Sequence, residues 1–109
     1  MLKTFTEAQP VVISTSAAGD LTLTTAVAGK RVGLYRLLLG IGGTTNLTFK
    51  SSGGSALSGA LPFVANGAIV LDYSWSGEPW YVSLLGEGFL LNNSGAVAIG
   101  GTAWLLQGP

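Results

Sequence analysis

The sequence predicts an all-β protein: an antiparallel β-sandwich of jelly-roll type, built from about nine or ten short strands. Three observations lead to this prediction. Short apolar segments with β-branched or aromatic residues are separated by glycine-containing turns roughly every 8–12 residues. The chain contains 17 glycines, which suits turns and bulges that need positive φ. The one segment with helical spacing is interrupted by glycine, so we expect no stable helix.

Alternation of apolar and polar residues identifies strands in the first half of the chain. The first two are predicted at residues 10–16 and 21–27. The second places four side chains on one face: Leu21, Leu23, Thr25 and Val27. A strand at residues 44–50 alternates in the same way, with Leu47 and Phe49 on one face. Such patterns are typical of strands with one buried face.

Residues 31–41 fit two templates. A helix would align the apolar residues Leu34, Leu37, Leu38 and Ile41. A buried strand would place on one face Tyr35, Leu37 and Leu39. Gly33 and Gly40 leave only six residues between them, which is too short for a stable helix. We therefore predict a strand.

The second half of the chain is punctuated more densely. A glycine and a proline interrupt residues 57–64, which predicts an edge strand or a bulge. Asn66-Gly67 is a hairpin signal that leads into a strand at residues 68–73. Four more strands are predicted, with a Gly-Gly pair between the last two, at residues 80–85, 89–92, 96–99 and 102–106.

The length indicates a single domain, with residues 1–9 as an N-terminal arm and residues 10–109 as the sandwich. Charged residues make up 9% of the chain, against roughly 25% in an ordinary soluble domain. Five scattered cations are too few for a nucleic-acid partner. The uncharged stretches 51–71 and 88–109 are broken by Gly, Ser and Asn, so we expect no membrane span.

The residues that usually carry catalysis are scarce. The chain contains no histidine and no cysteine. A Ser–Lys pair would need Lys30 or Lys50, which both lie at turn-like positions. A glycosidase needs two carboxylates, and the candidates Asp72, Glu78 and Glu87 each lie beside a loop. We therefore predict that the protein is not an enzyme and binds no metal and no cofactor.

Four aromatic residues cluster in the sequence: Tyr73, Trp75, Trp80 and Tyr81. Three interpretations stay open. In the first, Trp80 fills the core and Trp75 plugs a loop. In the second, the rings are anchors of a subunit interface, where Trp and Tyr dominate. In the third, the rings stack on sugar faces. The scarcity of charge also predicts that copies of the chain or a partner cover much of the outer surface, because exposed sheet edges are usually protected by charges.

A linear pattern of turns and apolar runs spans roughly residues 10–106. Its segments are VAGKRV at 27–32, FKS at 49–51, LSGALP at 57–62, ANG at 65–67, IVL at 69–71, GEGFLLN at 86–92, AV at 96–97 and IG at 99–100. This pattern resembles small β-sandwich virion proteins of tailed bacteriophages and gene-transfer particles, which decorate the capsid or form the base of head fibres.

The resemblance implies a non-enzymatic virion protein on the capsid exterior, made in the host cytoplasm. Its partners would be copies of itself, with a trimer favoured, and a major capsid protein. Leu2 and Phe5 would anchor the arm, and we expect deletion of residues 2–8 to weaken particle binding without loss of the fold. The alternative function is a carbohydrate-binding module that uses Trp75, Trp80 and Tyr81.

Overall fold

The computed structural model describes residues 8–108, which form two antiparallel β-sheets packed as a sandwich. The strands in this part of the chain are β1 (Gln9–Thr15), β2 (Gly19–Thr24), β3 (Arg31–Ile41), β4 (Thr45–Ser51), β5 (Leu61–Phe63), β6 (Gly67–Leu71), β7 (Tyr81–Val82), β8 (Phe89–Asn93) and β9 (Ile99–Gly108). Sheet A has the order β1-β9-β3-β6, with β7 also paired to β3, and sheet B has the order β2-β8-β4-β5. The predicted antiparallel β-sandwich is confirmed, whereas its jelly-roll connectivity stays a prediction.

The long strands β3 and β9 form the centre of sheet A. Their register places Leu37 opposite Ala103 and Leu39 opposite Gly101. Directly opposed residues of an antiparallel pair share a face of the sheet, so the inward set follows from the ladder. These buried side chains are Val32, Leu34, Leu37, Leu39 and Ile41 on β3, and Ile99, Ala103 and Leu105 on β9.

An aromatic cluster joins the two sheets in the core. The ring of Phe49 on β4 stacks on that of Tyr81 on β7, with centroids 5.1 Å apart. Phe89 on β8 contributes a third ring, 6.0 Å from Phe49. Phe49 and Phe89 are both fully buried. Truncation of Phe49 to alanine is expected to cost about 3–5 kcal/mol, because it would leave a cavity between the sheets.

A buried asparagine fixes the turns at one end of the sandwich. Asn93 Oδ1 accepts a hydrogen bond from Thr45 Oγ1 at 2.5 Å. Its Nδ2 donates to the carbonyls of Ala17, at 3.2 Å, and Val97, at 3.1 Å. The β1–β2 and β8–β9 connections are thus tied to the same side chain. Every buried side-chain N or O atom in the described part of the chain has a partner.

A half-buried carboxylate fixes the opposite end. Glu87 Oε1 accepts hydrogen bonds from Ser51 Oγ and from the backbone N–H of Gly53, both at 2.7 Å. The backbone N–H of Leu84 donates to Ser51 Oγ at 3.0 Å. These bonds connect the segment between β7 and β8 to the end of β4, so Glu87 has a structural role.

The structure corrects the last two predicted strands. The segments 96–99 and 102–106 were expected to be separate strands, but residues 96–98 lie in the connection before β9, and the single strand β9 runs from Ile99 through Gly100 and Gly101 to Gly108. A Cβ at position 101 would collide with the carbonyl oxygen of Leu38. Glycine at this position therefore allows β9 to approach β3 closely, and it does not mark a chain break.

The strand at 31–41 is confirmed, but its inward face differs from the expected one. The register between β3 and β9 shifts between Leu34 and Arg36, so Tyr35 is the extra residue of a β-bulge. Leu34, instead of Tyr35, consequently shares the buried face with Leu37 and Leu39. A bulge is invisible to period-2 counting, which assumes one residue per step.

Asn66-Gly67 forms a turn but not a hairpin. Asn66 has a φ of 65°, and the N–H of Gly67 donates to the carbonyl of Val64 at 3.0 Å. The turn joins β5 of sheet B to β6 of sheet A, so it crosses between the sheets. The flanking strands, like β7, are shorter than predicted. At the N-terminus β1 begins at Gln9, one residue inside the predicted arm.

Candidate interaction surface

The outer face of sheet A carries a straight row of side chains across four strands. The ladders place Val12 opposite Thr102, Thr102 opposite Leu38, and Leu38 opposite Val70. Val12, Leu38 and Val70 are 78%, 52% and 65% exposed. Together with Thr102, these three residues form a row that we call the ridge. Exposed apolar side chains that adjoin one another in this way mark interaction sites more often than isolated ones do.

The neighbouring row is made of small residues, which we call the trough: Ser14, Gly100, Gly40 and Ala68. A shallow open depression lies here, lined in part by Ser14, Gly40 and Gly100. A Cβ added at Gly40 or Gly100 would meet nothing closer than 3.9 Å, and neither residue has positive φ. Packing within the chain therefore does not require glycine at either position.

The row on the other side of the ridge carries one ion pair. Arg36 Nε lies 3.4 Å from Asp72 Oδ1. The guanidinium of Arg36 also lies over two rings, 4.7 Å from the centroid of Trp104 and 5.6 Å from that of Tyr73. These contacts hold the cation flat against the sheet. The charges of Arg36 and Asp72 cancel, so the row adds no net charge to the outer face of sheet A.

A tight loop before β7 presents a fully exposed indole. Trp75 lies at the tip of this loop. The N–H of Gly77 donates to the carbonyl of Ser74 at 3.0 Å, and Ser74 Oγ donates to the carbonyl of Glu78 at 2.7 Å. Gly77 has a φ of 77°, which glycine adopts without strain. The loop is therefore internally hydrogen-bonded, although its most apolar side chain contacts solvent.

The four aromatic residues predicted as interface candidates do not share one platform. Tyr81 points inward and packs on the core. Trp80 is 45% exposed, and its Nε1 donates to the carbonyl of Asp72 at 2.7 Å. Tyr73 is half-buried beside the Arg36 row, and Trp75 projects into solvent.

Two of the interface predictions change as a result. Tyr81 is corrected to a partly buried residue that packs against the core, because its ring stacks on that of Phe49. A three-ring sugar platform of Trp75, Trp80 and Tyr81 is therefore not assembled. The remaining candidates, Leu2 and Phe5, lie outside the described residues.

Sequence reasoning missed the ridge. Val12, Leu38 and Val70 lie in different strands, and each has an apolar neighbour that points inward. The apolar runs therefore predict burial on both faces, as in a covered sheet. The signal was present in the unbroken run Leu37-Leu38-Leu39, whose middle residue must face away from the core of a two-layer sandwich.

The outer face of sheet B is polar. Asp20 Oδ1 accepts a hydrogen bond from Asn92 Nδ2 at 2.7 Å and lies 3.4 Å from Lys50 Nζ. The hydrogen bond from Asn92 lowers the pKa of Asp20 most, burial opposes it, and Lys50 adds to the lowering. Leu90 also points outward from β8, but it lies between its ladder partners Thr22 and Lys50 and is buried.

The described titratable residues do not form a catalytic arrangement that we recognise. Glu87 is used by the backbone, Asp72 pairs with Arg36, and Lys50 pairs with Asp20. Burial raises the pKa of Tyr35, and the carboxylate of Glu78 adds to the effect. Residues 8–108 contain no group of three potential metal ligands and no helix with the length and hydrophobicity to span a bilayer.

Comparison of the chain with models of protein families, with curated protein sequences and with solved structures finds no match.

Proposed function

We propose that this chain is a non-enzymatic structural protein of a virion, which binds the outside of a phage capsid as a decoration protein or head-fibre base. Its partners would be other copies of the chain and a major capsid protein. The observation that carries this proposal is the outer face of sheet A, where the ridge exposes apolar side chains on three of the four strands that it crosses. Assembly into a particle would cover such a face.

The rest of the molecule supports a role that depends on shape. Both ends of the sandwich are fixed by buried or half-buried hydrogen bonds, at Asn93 and at Glu87. A body held in this way can bind a regular surface with little loss of conformational entropy. The fully exposed Trp75 on its hydrogen-bonded loop adds a second possible contact, because a rigid aromatic side chain is a common anchor at interfaces.

The test is co-sedimentation of the purified chain with capsids of the particle whose genome encodes it. We expect saturable binding at a fixed number of copies per capsid, and a band of the chain in purified virions. Trp75→Ala is expected to weaken the binding, whereas Thr22→Ala on the outer face of sheet B is the matched control. Absence of the chain from virions, together with no binding to capsids, would contradict the proposal.

A carbohydrate-binding module is the second candidate, and the exposure of Trp75 is what favours it. With Tyr81 packed against the core, sugar stacking would rest on Trp75 with Trp80 at its side. A glycan array separates the two functions. Binding to an oligosaccharide that Trp75→Ala abolishes, in a chain that does not bind capsids, would support the carbohydrate function.

A further inference from the structure

We infer that the outer face of sheet A binds the same face of a second copy of this chain, related by a two-fold axis, with the ridge of each copy seated in the trough of the other. This inference deepens the proposed function, because it names the first occupant of the apolar face. The first observation behind it is the location of the exposed apolar side chains. Large exposed apolar residues on the described strands are Val12, Leu38, Val70 and Val82. All four belong to sheet A.

The shape of the face is complementary to itself. The ridge and the trough are adjacent rows, roughly 7 Å apart along the strands. A two-fold axis parallel to the rows and midway between them would turn each row onto the other. Each ridge residue would then face a small residue of the second copy: Val12 against Ser14, Thr102 against Gly100, Leu38 against Gly40, and Val70 against Ala68.

The two trough glycines provide an independent observation. Glycine within a strand is destabilising by roughly 0.5–1 kcal/mol relative to alanine, and it often marks the close approach of another molecule. Gly101 and Gly33 have internal reasons for being glycine, because a Cβ at either would be crowded. Gly40 and Gly100 have open space and ordinary φ. A second copy that approaches the trough would explain why no side chain occupies this space.

Charge does not oppose the pairing. The ion pair of Arg36 with Asp72 leaves the rows beside the ridge without net charge, so these rows of two copies meet without repulsion. Sheet B differs, because its outer face carries the Asp20–Lys50 pair among hydrogen-bonding side chains that would have to be desolvated.

The area of the face sets the expected strength. The ridge, the trough and the row that flanks each cover about 19 by 27 Å over four strands, or roughly 500 Å² of projected area per copy. A pair would bury roughly 1,000 Å², below the 1,200–2,000 Å² that is typical of stable interfaces. The isolated pair is therefore weak, and it gains strength only when capsid contacts hold many copies together. A three-fold ring requires two different complementary surfaces, whereas a two-fold pair needs only this one.

The experiment is sedimentation velocity of the whole chain from about 10 to about 500 μM, a range chosen for a weak interface. We expect a reversible shift from monomer to dimer. Val12→Lys is expected to raise the dissociation constant at least about tenfold, since it places a charge in the ridge. Thr22→Lys is the matched control, with the same added charge on an exposed outward position of the edge strand β2, and it should leave the dissociation constant unchanged.

Gly40→Ala distinguishes a glycine that the dimer requires from one that the fold of the monomer requires. We expect its melting temperature to stay the same or to rise, while its dimer weakens. If Val12→Lys fails to fold by circular dichroism, Val12→Thr serves instead with a smaller effect in the same direction.

Three outcomes would overturn the inference: a monomer over the whole concentration range, a trimer in place of the dimer, or equal association of Val12→Lys and Thr22→Lys. Capsid binding by a strictly monomeric chain would overturn the two-fold pair and leave the proposed function standing. A dimer that neither binds capsids nor occurs in virions would overturn the proposed function and leave the two-fold pair standing.

Discussion

The outer faces of the two sheets differ in how their side chains meet the solvent. Sheet B covers its exterior with side chains that bind one another, as Asn92, Asp20 and Lys50 show. Sheet A leaves Val12, Leu38 and Val70 in water. Both faces belong to one small sandwich with one core, so overall composition does not explain the contrast. One face is completed within the chain, and the other is expected to be completed by a neighbour.

The largest expected effect compares two adjacent glycines on β9 that face opposite sides of sheet A. Gly101→Ala should reduce the free energy of unfolding by about 3 kcal/mol, because its Cβ would collide with the backbone at Leu38. Gly100→Ala should leave it unchanged or raise it by up to about 1 kcal/mol, because its Cβ has open space and alanine loses less conformational entropy on folding. Urea denaturation at low protein concentration measures both. Equal losses would mean that the fold itself requires the trough glycine.

The next effect concerns the polar network of sheet B. Asn92→Ala removes the hydrogen bond to Asp20 and is expected to destabilise the monomer by about 0.5–1 kcal/mol, since the site is partly exposed. It should leave self-association unchanged. Thermal melts and sedimentation of the same sample measure the two properties. If Asn92→Ala changed self-association but not stability, the second copy would bind sheet B and not sheet A.

The pH dependence of stability should be slight and should reflect the two shifted groups. The pKa of Asp20 is lower in the folded chain, so its contribution is present above the ordinary value of 3.8 and is lost as the pH falls through the folded pKa. The pKa of Tyr35 is raised, so its contribution is present below 10.0 and is lost as the pH rises through the folded pKa.

Between about pH 5 and pH 9 we therefore expect nearly constant stability. Melting temperatures across pH 2–11 test this. In Asp20→Asn the acidic decline should become shallower. A steep change near neutral pH would reveal a titrating group that the described residues do not account for.

The smallest expected effect on stability is that of the exposed indole. Trp75→Ala should change the free energy of unfolding by less than about 0.5 kcal/mol, because the side chain is fully exposed. Trp80→Ala is the comparison, and it should cost more, since it removes the hydrogen bond to the carbonyl of Asp72. Chemical denaturation of both variants provides the measurement. A large loss for Trp75→Ala would give the loop a role in the fold.

The sequence predicted the class of fold and most strands, because alternation and glycine turns are local signals. Residues 31–41 were assigned correctly by the spacing of two glycines, even though a helical pattern competed. The bulge at Tyr35 and the continuity of β9 through Gly101 were not predictable in this way. Both depend on how two strands distant in sequence approach each other.

The candidate surface was harder to predict than the fold. The exposed position of Trp75 agrees with the interface hypothesis, whereas the proximity of Trp80 and Tyr81 in sequence wrongly suggested a shared platform. Neighbouring residues in a strand point to opposite faces, so Tyr81 packs against the core while Val82 turns outward. The ridge emerges only when four strands are placed in register, and sequence alone gives no register between strands this far apart.

The pairing of β1 with β9 has a consequence for synthesis. Gln9 lies opposite Leu105, and β9 is also the strand that connects β1 to β3. During translation the early strands emerge without their central partner, and sheet A closes only after β9 has left the ribosome. The strand β1 and one edge of β3 must therefore wait for their partner, with apolar side chains open to aggregation. A ribosome stalled before residue 99 should display a chain that proteases degrade readily, and translation through β9 should make it resistant.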